Sequence, residues 1–274
     1  MTDNSGDEIV RHYTESNEAS RLRTGWFQLE QARTQELILR HLQAAPATVL
    51  DVGGGAGAYA LWLASRGYQV HLVDPVLRHV EQARAASAEQ RKHTLASATV
   101  GDARRLEHAD KTADAVLLLG PLYHLTRRQH RLKALHEAHR VLRSGGVVWA
   151  AGISRFASLL DSLSHGFFDA PEFAAILDRD LAEGQHRNPT SNLVYFTDAF
   201  FHLPDELAAE VAEAGFKSVE LVAIEGPGWL ARDFDGLWKH PEQRERLLAT
   251  LRKVEHAPTL IGASSHIIAI GRKG

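Results

Sequence analysis

The sequence predicts an α/β fold, because short apolar runs of strand length alternate with amphipathic stretches of helix length along the chain. The clearest unit begins with an apolar run at residues 48–52, interrupted only by Asp51, which predicts a buried strand. Four of the next five residues are glycine, and a helical pattern follows, with Tyr59 and Leu63 one turn apart. Glycines let the backbone approach a ligand closely, and the N–H groups that begin a helix attract a negative group. This strand, turn and helix therefore predict a ligand-binding edge.

The elements on either side of this unit follow from periodicity and from residues that end helices. A helix is predicted over 27–42, ended by Pro46, and the helix after the glycine turn, 58–66, ends at Gly67 as its C-cap. Strands are predicted at 69–73, 95–100, 114–119 and 147–151, with helices at 77–86 and 128–142 between them. The first half of the chain therefore alternates strand and helix.

The second half begins with an insertion. Residues 154–200 contain two apolar helical stretches, the second over 171–183 between Pro171 and Gly184, and then a polar loop over 185–192. A helix with Pro204 at its first position follows, and strands are predicted at 218–224 and 266–270. A charged helix over 242–254 lies between these last two strands.

Composition excludes several classes of protein. The chain has 274 residues, 44% hydrophobic and 24% charged, which suits one large α/β domain with insertions or a cap. A net charge of -3 gives no overall attraction to nucleic acid or to anionic membranes. The absence of cysteine excludes disulfides, thiolate metal sites and a cysteine nucleophile. The polar N-terminus has no apolar signal region and no run approaches a membrane span, so the expected location is cytoplasmic.

The glycine turn on its own admits more than one interpretation. The spacing of Gly53, Gly55 and Ala58 also fits a relaxed dinucleotide fingerprint, which would make the chain a nicotinamide oxidoreductase. Asp51 argues against this, because an acid two residues before Gly53 suits a cationic amino group and would repel a pyrophosphate. A turn without any ligand is disfavoured, since three consecutive glycines weaken a turn that needs only one.

Residues 51–57, DVGGGAG, resemble the first motif of class I S-adenosylmethionine-dependent methyltransferases, D/E-x-G-x-G-x-G, and further motifs follow in order to Gly274. The resemblance, closest to small-molecule enzymes of the type 11/25 methyltransferase domains, implies a Rossmann-like seven-stranded sheet. That sheet is mostly parallel with an antiparallel last strand and has helices on both faces. It also implies S-adenosylmethionine as cofactor and S-adenosylhomocysteine as product.

The resemblance further implies four regions in the chain. Residues 1–45 form an N-terminal helical cap, and 46–153 form the cofactor-binding core. Residues 154–200 form an inserted helical lid, and 201–274 complete the core, with an aromatic insertion at 226–264.

Three acids and the N-terminal segment are the main candidates for cofactor contact. Asp74, about twenty residues after the glycines at a strand end, is placed to accept both ribose hydroxyls, although capping the next helix is the alternative. The resemblance implies that Asp102 accepts from the adenine amino group, where a plain Asx turn is the alternative. In the family, tyrosine or arginine of the N-terminal helices meets the methionine end. The predicted cofactor contacts are Tyr13, Arg23, Asp51, Gly53, Gly54, Gly55, Gly57, Asp74, Pro75, Asp102, Ala103 and Leu119.

The loop after the fourth strand is predicted to face the methyl acceptor, because loops beyond the carboxyl ends of parallel strands line the ligand crevice. We predict His124 as the group that takes a proton and Tyr123 as the group that orients the acceptor; the alternative is that both only line the pocket. Arg155, Tyr195 and His202 are further predicted acceptor contacts. No metal site is predicted, since the acid pair at 233 and 235 is typical of a solvated loop.

The sequence thus predicts a methyltransferase that acts on a small molecule, with oxygen or nitrogen favoured over carbon, by in-line transfer. Gly120 stands where the D/N-P-P-Y motif has its acid or amide, which argues against DNA adenine or glutamine-amide methylation. An RNA or protein methyltransferase, a nicotinamide oxidoreductase and a cofactor-binding protein without transferase activity remain as alternatives. The expected partner is a small-molecule acceptor rather than membrane or nucleic acid. The oligomeric state is open, with a homodimer as one option.

Overall fold

The structure, a computed structural model, describes residues 21–190 and 192–274, so the predicted contact of Tyr13 lies outside the described residues. The described strands are β1 (Thr48–Val52), β2 (Gln69–Asp74), β3 (Ser97–Val100), β4 (Ala113–Leu118), β5 (Leu142–Ser154), β6 (Gln185–His186), β7 (Ala199–His202), β8 (Lys217–Ala223) and β9 (His266–Arg272). The described helices are α1 (Phe27–His41), α2 (Ala58–Ala64), α3 (Leu77–Glu89), α4 (Pro121–His124), α5 (Arg128–Val141), α6 (Ala157–His165), α7 (Pro171–Glu183), α8 (Pro204–Glu213), α9 (Phe234–Lys239) and α10 (Pro241–Val254). Across these residues no helix is both long and apolar enough to cross a membrane.

The main sheet has the order β3-β2-β1-β4-β5-β9-β8. The first five of these strands run parallel to one another, while β9 runs antiparallel to both β5 and β8. The predicted α/β fold, with a mostly parallel Rossmann-like sheet and an antiparallel last strand, is confirmed. The parallel order reverses between β1 and β4, and ligands of open α/β sheets bind at such a reversal.

Two short strands were not predicted. The fifth strand extends beyond the predicted 147–151, and its last residues, Ile153 and Ser154, pair in parallel with Phe201 and His202 of β7. β7 in turn pairs with β6, which occupies the start of the predicted polar loop. The interpretation of 185–186 as loop was wrong, because runs of two to four residues carry no measurable alternation.

The core consists of two apolar layers, one on each face of the sheet, because successive strand residues point to opposite faces. One layer contains Val49 and Trp149 and is covered by α1 and α2. The other contains Leu50 and Val148 and is covered by α5 and α8. Both layers are fully buried, so the carboxyl ends of β1, β2 and β4 are held at one rigid edge.

Candidate cofactor and acceptor site

A cavity of about 890 Å³ opens at this edge of the sheet, with α1 forming the opposite wall. Most of the predicted site residues meet there. They are Arg23, Asp51, Gly53, Gly54, Gly55, Asp74, Pro75, Asp102, Ala103, Leu119, Tyr123 and His124. Gly57 does not line the cavity; it precedes α2 as its N-cap, with a φ of 89° that favours glycine.

The glycine turn packs closely against the side chains of Asp51 and Pro121. A Cβ at Gly54 would lie 2.7 Å from the carboxyl carbon of Asp51, and a Cβ at Gly53 would lie 2.6 Å from Cγ of Pro121. Neither position has room for a side chain. The turn therefore presents backbone without side chains to the cavity, so a flat or extended ligand can lie directly against it.

Asp51 lies behind the glycine turn, against Gly54, and is only 1% exposed. Its Oδ2 accepts no hydrogen bond from the residues that the structure describes. Burial, with the nearby charge of Asp74, raises the pKa of Asp51 to about 7. The backbone N–H of Ala60 donates to this carboxylate, but a buried carboxylate oxygen without a donor, such as Oδ2, is unfavourable unless a ligand supplies one. The site therefore fits a ligand that brings a cationic amino group to this point, as the position of Asp51 in the sequence predicted.

Asp74 connects the glycine turn to the start of α3. Its Oδ2 accepts from the backbone N–H of Gly55 at 2.8 Å, and its Oδ1 accepts from the N–H of Val76 at 2.9 Å. Nδ1 of His79 lies 3.1 Å from Oδ1. A carboxylate has about four acceptor positions, so these contacts leave capacity for a ligand hydroxyl. Both interpretations of Asp74, a helix-end contact and a ribose ligand, are compatible with this geometry.

Asp102 forms the Asx turn that the sequence allowed, since its Oδ1 accepts from the backbone N–H of Arg104 at 2.8 Å. The guanidinium of Arg104 also donates to this carboxylate, with Nη2 at 2.7 Å from Oδ2. Burial alone would raise the pKa of Asp102, but the bonds from Arg104 outweigh it and lower the pKa. The side chain remains 46% exposed, so it stays accessible from the cavity, and its contact with adenine stays a prediction.

The end of the cavity predicted to face the methyl acceptor is aromatic. Tyr123 and His124 occupy the short helix α4, with ring centroids 4.6 Å apart. Phe196 lies 5.8 Å from the His124 ring, and His266 lies 6.4 Å from the Tyr123 ring, all between centroids. The two predicted catalytic side chains therefore share one wall with His266, for which no role was predicted.

That histidine belongs to a buried cluster of charged groups. Nδ1 of His266 lies 2.7 Å from Oε1 of Glu225 and 3.9 Å from Oε2 of Glu30. Arg21 donates to both carboxylate oxygens of Glu30, at 2.6 and 3.1 Å. Burial lowers the pKa of His266, but the two carboxylates outweigh this and raise it. Burial raises the pKa of Glu30, but Arg21 and His266 outweigh this and lower it.

One feature of the sequence indicates part of this cluster, because Glu225 follows one predicted strand directly and His266 begins the next. Antiparallel pairing of β8 with β9 places Ile224 beside His266, where the Ile224 N–H donates to the His266 carbonyl at 3.1 Å. Glu225 is therefore brought next to His266 by register alone. Glu30 had no comparable signal, because its approach depends on how α1 packs.

Three predicted acceptor contacts do not reach the cavity wall. Arg155 is buried and donates to the carbonyl of Phe201 at 2.8 Å and to Glu206 at 2.7 Å. The hydroxyl of Tyr195 donates to Oε1 of Glu172 at 3.0 Å. His202 is fully buried, with Nε2 3.5 Å from Glu210. In this structure their polar groups serve the packing of the inserted segment.

Comparisons with known sequences find a methyltransferase domain model and methyltransferases among the similar proteins. Residues 49–146 match the family model described as Methyltransferase domain. The malonyl-[acyl-carrier protein] O-methyltransferase of Geobacter sulfurreducens is 32% identical over 198 residues, which cover 70% of this chain and 64% of that protein. The chain therefore spans slightly less than two thirds of this relative's length.

Solved structures share the fold at low identity. A SAM-dependent methyltransferase of Methanosarcina mazei matches with a TM-score of 0.56 and 18% identity, covering 86% of this chain and 96% of that one. Phosphoethanolamine N-methyltransferase 2 of Haemonchus contortus, in complex with phosphomonomethylethanolamine and S-adenosylhomocysteine, matches with a TM-score of 0.54 and 16% identity. That match covers 88% of this chain and 52% of the Haemonchus protein.

The sheet order, the glycine motif and the family match support the same family assignment. Residues 49–146 belong to the methyltransferase domain family, and the sheet order around them is that of the class I S-adenosylmethionine-dependent methyltransferase fold.

Proposed function

We propose that this chain transfers a methyl group from S-adenosylmethionine to an oxygen or nitrogen atom of a small molecule. The observation that carries the proposal is that Asp51, the glycine turn and Asp74 line the same cavity as Tyr123 and His124. One end has the groups that a charged nucleoside-like cofactor needs, and the other has aromatic and ionisable groups suited to an acceptor.

The cofactor supplies a methyl group on a sulfonium, which is a good leaving group and needs no covalent intermediate with the protein. Asp51 is the proposed partner of its ammonium group, Asp74 of its ribose hydroxyls and Asp102 of its adenine amino group. Arg23, on the cavity wall, is the proposed contact at the methionine end. The chain's remaining tasks are to orient the acceptor and to exclude water.

Local charge favours a small acceptor over RNA. Residues 127–131 contain three arginines, but Arg131 is buried and donates to Glu210 at 2.8 Å. The guanidinium of Arg128 pairs with Glu213. Because two of its three arginines are paired with carboxylates, this segment offers less positive charge to a phosphate backbone than its sequence indicates. The names of the Geobacter and Haemonchus proteins refer to an oxygen and a nitrogen acceptor, which supports the same two classes here.

We predict that the purified chain binds S-adenosylmethionine and S-adenosylhomocysteine with micromolar dissociation constants and binds NAD far more weakly. The reason is Asp51, which attracts an ammonium group and repels a pyrophosphate. Isothermal titration calorimetry with the three ligands under one buffer condition tests this. Tighter binding of NAD than of S-adenosylmethionine would overturn the proposal.

A further inference from the structure

Glu225 holds His266 by two atoms at once. Its Oε2 accepts from the backbone N–H of His266 at 2.9 Å, while its Oε1 lies 2.7 Å from the ring nitrogen Nδ1. A carboxylate only accepts hydrogen bonds, so Nδ1 carries the proton in this contact. In the neutral ring, Nε2 is then the nitrogen with a free lone pair.

Glu225 is itself fixed from behind. It is fully buried, and Oγ of Ser264 donates to its Oε2 at 2.8 Å. The same Ser264 oxygen accepts from the backbone N–H groups of Glu225 and Gly226, each at 3.0 Å. The carboxylate therefore cannot turn away from the imidazole without losing several bonds.

The other ring nitrogen remains available. No described residue forms a hydrogen bond with Nε2 of His266, and the side chain lines the cavity with 13% of its surface exposed. Tyr123, at the acceptor end, is the nearest described aromatic ring on that wall. An oriented imidazole with one open nitrogen beside the acceptor position is the arrangement that general-base catalysis requires.

We propose that His266 is the proton acceptor of the reaction and that Glu225 is its positioning residue, an inference that rests on the proposed function. The acceptor's O–H or N–H bond breaks, and the proton goes to Nε2 of His266. The electron pair of that acceptor atom forms the bond to the methyl carbon, and the electron pair of the broken carbon–sulfur bond stays on sulfur. Deprotonation of the imidazolium by solvent then restores the site.

The charged groups around the ring set the direction of the pH dependence. Glu225 and Glu30 face His266 from the loop after β8 and from α1, Arg21 lies behind Glu30, and the hydroxyls of Tyr59 and Tyr123 belong to the same wall. The two carboxylates favour imidazolium, so the pKa of His266 lies above its ordinary value. Because the transfer needs neutral imidazole, turnover should rise with pH through this raised pKa, and Glu225→Gln should move the rise to lower pH.

The test uses the whole chain as wild type, His266→Gln and Glu225→Gln, with His136→Gln as a matched control on the exposed face of α5. Release of S-adenosylhomocysteine is followed with phenol, ethanolamine and acetate as probe acceptors. His266→Gln should lose about 100-fold in turnover of phenol or ethanolamine. Acetate has no proton to lose at neutral pH, so its turnover should change little. If His266 has only a structural role, His266→Gln should reduce the turnover of all three probe acceptors to the same extent.

Labelling by diethyl pyrocarbonate gives a readout that needs no turnover, because the reagent acylates neutral imidazole. Mass spectrometry should find His266 labelled in the free chain, protected by S-adenosylhomocysteine, and labelled at lower pH in Glu225→Gln. Calorimetry should show that His266→Gln still binds S-adenosylhomocysteine. If the wild type is active and His266→Gln is equally active, the assignment of His266 as proton acceptor is wrong while the proposed function stands. The same holds if the reagent does not label His266. A wild type inactive with all three probes overturns the proposed function and the assignment with it.

Discussion

Asp51→Asn is expected to stabilise the cofactor-free chain by roughly 2–4 kcal/mol at pH 8 while weakening S-adenosylmethionine binding by roughly tenfold to a hundredfold. The pKa of Asp51 is about 7 in the folded chain against 3.8 for the ordinary group. The folded state therefore binds one proton more than the unfolded state between these values, and stability falls as pH rises through this window. Asparagine carries no charge at any of these pH values, so Asp51→Asn does not lose this stability as pH rises.

Urea denaturation of both proteins at pH 4, 6 and 8 measures this effect. The advantage of Asp51→Asn should be small at pH 4, grow up to about pH 7 and then stay constant. Asp114→Asn is the matched control, because Asp114 is also a strand acid but donors hold it ionised. Burial raises its pKa, yet the bond from Arg143 at 2.7 Å and the N–H of Thr48 outweigh this and lower it. That control should lose stability at pH 8. Equal stability of Asp51→Asn and wild type at pH 8 would contradict the argument.

Asp74→Ala is expected to weaken S-adenosylmethionine binding by roughly one to two orders of magnitude and to lower the stability of the free chain by about 1–3 kcal/mol. The first effect follows from the proposed bonds to the ribose, allowing for water that fills the gap. The second follows from the N–H groups of Gly55 and Val76, which lose their acceptor. Asp74→Asn keeps the shape without the charge and should fall between.

Calorimetry and thermal unfolding of the same preparations separate the two effects. Asp233→Ala serves as the control, because Asp233 caps α9 through the N–H of Gly236 at 2.9 Å and lies outside the cavity. It should unfold earlier, by about 1 kcal/mol, with unchanged affinity. If Asp74→Ala behaves in the same way, Asp74 is only a structural acceptor and the ribose assignment is wrong.

Elements with a strong local signal were predictable from the sequence. The strand at 48–52 and the helix at 171–183 have the predicted ends, because a glycine turn follows the first and Pro171 and Gly184 bound the second. That Asp51, Asp74 and Asp102 line one cavity was predictable for the same reason, since each of them lies at or just after the end of a strand; their contacts with a cofactor stay predictions.

Contacts between distant parts of the chain were not predictable in this way. Arg155 and His202 are polar residues in apolar surroundings, which indicates a ligand or a buried partner equally well, and in the structure they lie beside Glu206 and Glu210. Glu30 lies on α1, and only the packing of that helix brings it to His266. Local pattern does not encode which charged groups meet across a fold.

The pairing of β7 with the end of β5 bears on how far the inserted segment can vary in length and sequence. The N–H of Arg155 donates to the carbonyl of His202 at 2.8 Å, so the excursion through α6 and α7 leaves and rejoins the sheet at adjacent points. An excursion with adjoining ends can be shortened, lengthened or exchanged without disturbing the register of the strands that carry it. The residues between Ser154 and Ala199 can therefore be exchanged between relatives, and we expect the strand pairing to survive such an exchange.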